Sequence, residues 1–97
     1  MYDNGLGVPQ DYKEAVRLFR LSAEQGQTMA QYNLAKMYYQ GLGVPQDYVL
    51  AHMWINLAAS NGEEDAIEKR NMVEKEMTPQ QIEKAQEMAR NWKPTSK

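Results

Sequence analysis

Two stretches of this chain repeat each other at a spacing of 36 residues, and that repeat limits the fold more than any other feature. Met1-Tyr2-Asp3-Asn4-Gly5-Leu6-Gly7-Val8-Pro9-Gln10-Asp11-Tyr12 returns as Met37-Tyr38-Tyr39-Gln40-Gly41-Leu42-Gly43-Val44-Pro45-Gln46-Asp47-Tyr48. The same offset pairs Ala15 with Ala51, Leu21 with Leu57, Ala23 with Ala59, Gly26 with Gly62 and Ala30 with Ala66. Fifteen of 36 aligned positions are identical, eight of them consecutive, which chance does not produce. A unit of this length has too little chain to enclose its own apolar face, so successive copies must stack.

Within a unit the apolar spacing is helical. From Thr28 to Gln40, Ala30, Leu34, Ala35 and Tyr38 make one stripe of a helix. Gly41 stands where a left-handed C-cap is wanted, Gly43 permits a second sharp turn, and Val44 is expected to plug the gap between helices. Pro45 bars the first helix from continuing. Asp47 and Asp11 are the expected N-caps, with Glu14 placed to complete a capping box. Tyr48 to Ser60 carries Leu50, Ala51, Met53, Trp54, Ile55, Leu57, Ala58 and Ala59, apolar on nearly every side, as a helix packed between neighbours would be. The earlier copy of that helix puts Arg17 and Arg20 on its open side. The predicted helices are near 11–25, 28–40, 47–60, 63–76 and 79–92. The predicted fold is all-α: an α/α helical-hairpin repeat solenoid of about two repeats plus a C-terminal capping helix.

The chain of 97 residues is one domain's worth, and at 42% hydrophobic it is too apolar for disorder. A net charge of -2 predicts no general attraction to nucleic acid or anionic lipid. No run approaches the roughly 18 apolar residues of a membrane span. Met1 to Val8 lacks the basic and apolar regions of a signal peptide. With no cysteine, neither a disulfide frame nor a thiolate metal site is expected. That lack fits a reducing compartment such as the cytoplasm, with the periplasm left open should a leader precede the chain.

Ala30, Leu34, Tyr38, Gly41, Gly43, Val44, Asp47, Ala51, Trp54, Ala58, Ala59 and Gly62 together resemble the Sel-1-like repeat, a bacterial-type branch of the tetratricopeptide superfamily. Ala35 replaces the usual small Gly, and the first copy has Leu18 at the Trp position and Ser22 for the first Ala. The resemblance covers roughly residues 1–66 and implies a tetratricopeptide-like superhelix that binds partner segments along the concave side of its first helices. The expected organisation is a single repeat domain over 1–97: a truncated first repeat at 1–27, a full repeat at 28–62, and degenerate capping helices at 63–97.

Beyond Ala66 the pattern breaks: Arg70, Asn71 and Glu74 stand where Leu34, Ala35 and Tyr38 stood. A helix is still expected, with Ile67, Val73 and Met77 to bury and Glu63, Glu64, Asp65, Glu68, Glu74 and Glu76 as a solvated acidic face. Thr78-Pro79-Gln80-Gln81 reads as a fresh helix start, Ile82, Ala85, Ala89 and Trp92 as its apolar face, and Pro94 as its stop. A polar-backed last helix pair would shield the end of the stack.

Catalytic chemistry finds little support. His52, the only histidine, lies in a helix otherwise spent on packing, and a structural or solvent role outweighs a catalytic one. Ser22, Ser60 and Ser96 have no motif around them. Gly41-Leu42-Gly43 follows a helix instead of a strand and lacks the Lys or third Gly of a phosphate loop. No catalytic residue, metal site or cofactor is expected.

A surface remains. Counted from buried Leu34 and Tyr38, the groove-facing side of that helix holds Met29, Tyr32, Lys36, Tyr39 and Gln40, with Asn33 at its edge. Tyr32, Lys36 and Tyr39 share a face at i, i+4 and i+7. The expected function is a protein–protein interaction scaffold whose partner is a protein or peptide segment, with no role for nucleic acid or membrane. The runner-up is a structural or oligomer-assembly module, a homodimer through the N-terminal helix with its Val16, Leu18, Phe19 and Leu21.

Overall fold

The computed structural model describes residues 11–94. Expectations that fall on Met1 to Gln10, including the leader reading and the remnant of a first helix, lie outside the described residues. Those described form five helices and no strand: α1 Tyr12–Glu24, α2 Thr28–Gln40, α3 Tyr48–Ser60, α4 Glu64–Glu74 and α5 Pro79–Asn91.

Local chemistry sets most of the helix ends. The side chains of Asp11 and Asp47 each accept from the backbone N–H three residues on, Glu14 and Leu50, at 3.0 Å. Such bonds satisfy donors that the first turn of a helix leaves unpaired. The capping box at Asp11 does not close. Glu14 instead takes hydrogen bonds from Arg17, which hold its carboxyl below the usual carboxylate range. At α5 the box is complete: Gln81 N–H donates to Thr78 Oγ1, and Thr78 N–H donates back to Gln81 Oε1. Gly41 ends α2 in the left-handed region, at φ 73°. Gly43, at φ 77°, is tied more tightly, because a Cβ there would run into the backbone of Tyr12 and Lys13. The α2–α3 loop therefore lies directly on the start of α1, and Val44 packs into the core with Leu42 beside it.

The helices stack in order through α4: α1 on α2, α2 on α3, α3 on α4. Ala23, Leu34, Ala51, Ile55, Ala58 and Ala66 are fully enclosed along this line, and the small alanines let the helices approach closely. The chain is an all-α repeat solenoid. Its last turn departs from the hairpin plan, since α5 folds back onto α3 instead of along α4. Trp92 meets Trp54 edge-on at 5.9 Å between ring centres. Pro94 reaches the Gly26 turn between α1 and α2. Packed by α2, α4 and α5, α3 has neighbours on three sides, which is why its sequence is apolar nearly all round.

Two expectations about exposed faces change. Val16 is buried and Phe19 packs against the core, so of the four apolar residues assigned to the open face of α1 only Leu18 and Leu21 remain outside, 51% and 49% exposed. On α4, Val73 is buried as expected, but Ile67 is 47% exposed because α5 does not return to cover it.

Candidate functional site

α2 and α4 both pack against α3, and a cleft runs between them. Ala35 of α2, Ile55 of α3 and Val73 of α4 are buried residues at its apolar part. Lys36 and Tyr39 border it from α2, Lys69 and Met72 from α4. The cleft continues into a wider, more polar space lined by Tyr32, Lys36, Tyr39, Gln40, Lys69 and Met72.

The tyrosines on this face are held in place. Lys36 Nζ lies over the Tyr32 ring, 5.4 Å from its centre, a cation–π arrangement. Tyr39 packs against Tyr48 with ring centres 5.5 Å apart, and its carbonyl accepts from Gln46 Nε2 at 2.8 Å. Among the described residues neither Lys36 nor Lys69 forms an ion pair, although Asp65 stands one helical turn before Lys69.

Of the six groove residues expected from the sequence, the structure brings Tyr32, Lys36, Tyr39 and Gln40 together along the cleft. Met29 is exposed and Asn33 half-buried, and neither lines it. Tyr32 is only 8% exposed and belongs to the core as much as to the surface. Lys69 and Met72 went unrecognised, absorbed into a helix read as acidic. The signal was present for Met72, which the 36-residue offset places on Lys36; Lys69 falls on Asn33, which does not line the cleft.

His52 lies on α3 away from this cleft and is fully buried. Its Nε2 stands 2.8 Å from Glu74 Oε2, while Nδ1 has no partner. Glu74 thus leaves the solvated acidic face to which the sequence reading assigned it and turns toward α3. A sealed imidazole can fix packing but cannot meet a substrate. Among the described residues no cluster of His, Asp or Glu could hold a metal ion, and no helix is long and apolar enough to cross a membrane.

The Sel1 repeat pattern matches residues 1–27 and again residues 28–63. The chain belongs to the Sel1 repeat family. Repeats of this kind generally mediate protein–protein interaction, and the family is of a non-catalytic, scaffold kind. The chain is also similar in structure to c5321, a protective antigen present in uropathogenic Escherichia coli strains, whose crystal structure displays an SLR fold. The TM-score is 0.82 at 38% sequence identity, over 89% of this Sel1 chain and 19% of that one. This chain therefore spans about a fifth of the length of that neighbour. No curated protein matches it.

Proposed function

We propose that this Sel1 chain is a scaffold without catalytic activity that holds a protein or peptide segment in the cleft between α2 and α4. The observation that carries the reading is the cleft itself, where polar-tipped aromatics, an exposed Met and two lysines surround buried apolar residues. Contact sites favour this composition, because aromatic and Met side chains bury much area while their polar tips remain satisfied in water. α4 and α5 then serve as the closing elements of the stack. The test is capture of a protein partner by the wild-type chain and by Lys36→Ala/Tyr39→Ala/Met72→Ala. Tyr32 is left untouched because its burial would confuse binding with folding. Loss of capture with helicity unchanged supports the groove; a partner held equally well by the triple variant refutes it.

A second reading is assembly through α1, favoured by Leu18 and Leu21, exposed one turn apart on that helix. Sedimentation across a dilution series separates the two: a concentration-dependent dimer that Leu18→Glu/Leu21→Glu abolishes supports assembly, and a strict monomer refutes it.

A further inference from the structure

The cleft's chemistry specifies more than a protein partner. Resting on the groove reading above, we infer that the segment it takes is acidic, with carboxylates on either side of an apolar side chain that enters between α2 and α4. The apolar part of the cleft is a shallow dimple with a cavity volume of about 30 Å³, open to the surface. That is far below the ~300 Å³ at which pockets begin to take whole organic ligands, so it suits the end of one side chain and not a cofactor. Its lining is almost wholly carbon, with Ala35, Ile55 and Val73 innermost. A polar side chain entering there would find no hydrogen-bond partner, and an aliphatic or aromatic one loses nothing by leaving water.

The rim supplies the sign of charge. Lys36 and Lys69 approach the same cleft from opposite helices and border both its apolar and its wider part. Neither is neutralised by a carboxylate among the described residues. This is notable in a chain whose net charge is -2 and whose α4 begins with exposed Glu64, Asp65 and Glu68. Those carboxylates would repel an anionic segment approaching the start of α4, so the two lysines also limit where it can lie. A cationic segment would meet two ammonium groups across a narrow opening. Like charges placed together in this way reject a partner more effectively than rim pairs attract one.

The test uses two short blocked peptides with the same leucines, one interspersed with aspartates and the other with lysines in their place. Each is titrated into isotopically labelled protein while the backbone amide signals are followed. The acidic peptide should shift the signals of Lys36, Tyr39, Lys69 and Met72, and the basic peptide should not. Lys36→Gln and Lys69→Gln should each weaken the acidic peptide about two- to five-fold at moderate salt, as exposed pairs do. Lys36→Glu/Lys69→Glu should reverse the preference. Lys36 is exposed and Lys69 half-buried, so helicity and a melting curve check that the variants remain folded. Equal response to both peptides at these four residues overturns the charge assignment and leaves the groove reading standing. Shifts confined to α1, or none with either peptide, overturn the inference; the groove reading falls only if a captured partner also ignores the triple substitution.

Discussion

Replacing His52 by Leu should leave the protein about as stable as wild type, while His52→Ala should destabilise it substantially. The imidazole is 0% exposed, packed inside α3. With its proton on Nε2 it donates to Glu74, which leaves Nδ1 as a buried acceptor without a partner. A hydrogen bond to a charged group contributes ~1.5–3 kcal/mol, and the low end applies here because the Glu74 side chain is 31% exposed and can turn to water. Burial of a bare acceptor costs about 1–3 kcal/mol in the other direction. The two nearly cancel, so what remains is volume. Leu fills the space, much as Val16 does at the equivalent position one repeat earlier, and should fall within about 1 kcal/mol of wild type. Ala removes the same two polar contributions but opens a cavity, for a loss of roughly 2–4 kcal/mol. Urea denaturation with an unchanged m-value is the assay, supported by melting curves in which each kcal/mol moves the midpoint by roughly 4–8 °C. Leu costing as much as Ala would mean that the polar pair, and not the filled volume, is what this position needs. An Ala variant as stable as wild type would refute the burial of the ring altogether.

Trp54→Ala should be among the most damaging single changes, about 3–5 kcal/mol, because Trp54 is nearly sealed between α3's neighbours. Trp92→Ala should cost less, since Trp92 is half-buried, and a double-mutant cycle should recover ~0.5–1.5 kcal/mol for their edge-on contact; additive losses would mean the rings do not touch in solution. Gly43→Ala should exceed Gly62→Ala in denaturation experiments. Both residues have positive φ, which costs Ala on the order of 1 kcal/mol, but a Cβ at Gly43 meets the Tyr12 backbone and one at Gly62 meets nothing within 4 Å. Equal losses would show that the loop does not rest on α1.

What the sequence displayed clearly was chemistry that acts over three or four residues. Asp47, Gly41 and the Thr78–Gln81 box do what their side chains do in any helix end, and the five helices follow. Where two short-range partners compete, the sequence is silent: Glu14 could serve the Asp11 amide or Arg17, and the guanidinium wins with a charged hydrogen bond. The return of α5 to α3 was hidden for a different reason. An apolar face made of Ile82, Ala85, Ala89 and Trp92 fits either α4 or α3, and in the fold it lies on α3, where Trp92 meets Trp54.

The break after Ala66 is the more instructive case. Loss of identity there suggested loss of the repeat's geometry, yet the geometry persists through paired substitution. Glu74 replaces the position of Tyr38, and its partner His52 replaces that of Val16. One turn along, Arg70 replaces the position of Leu34 and donates at 3.1 Å to Asn56, which replaces that of Arg20. On each helix the two residues are four apart, and the residue numbers of the two pairs have the same sum, as antiparallel helices in register require. In the preceding unit the corresponding residues are tied by a hydrogen bond from Arg20 to the Tyr38 hydroxyl at 2.7 Å, so both helices changed partners together and the stacking register survived. Because it survived, Met72 takes the position of Lys36, a cleft residue in the preceding unit, while Lys69 takes that of Asn33, which does not line the cleft. Met72 was therefore recoverable from the 36-residue offset alone, carried one unit beyond the point where the letters stop agreeing. Lys69 was not, because α4 borders the cleft with the side opposite to the one α2 presents.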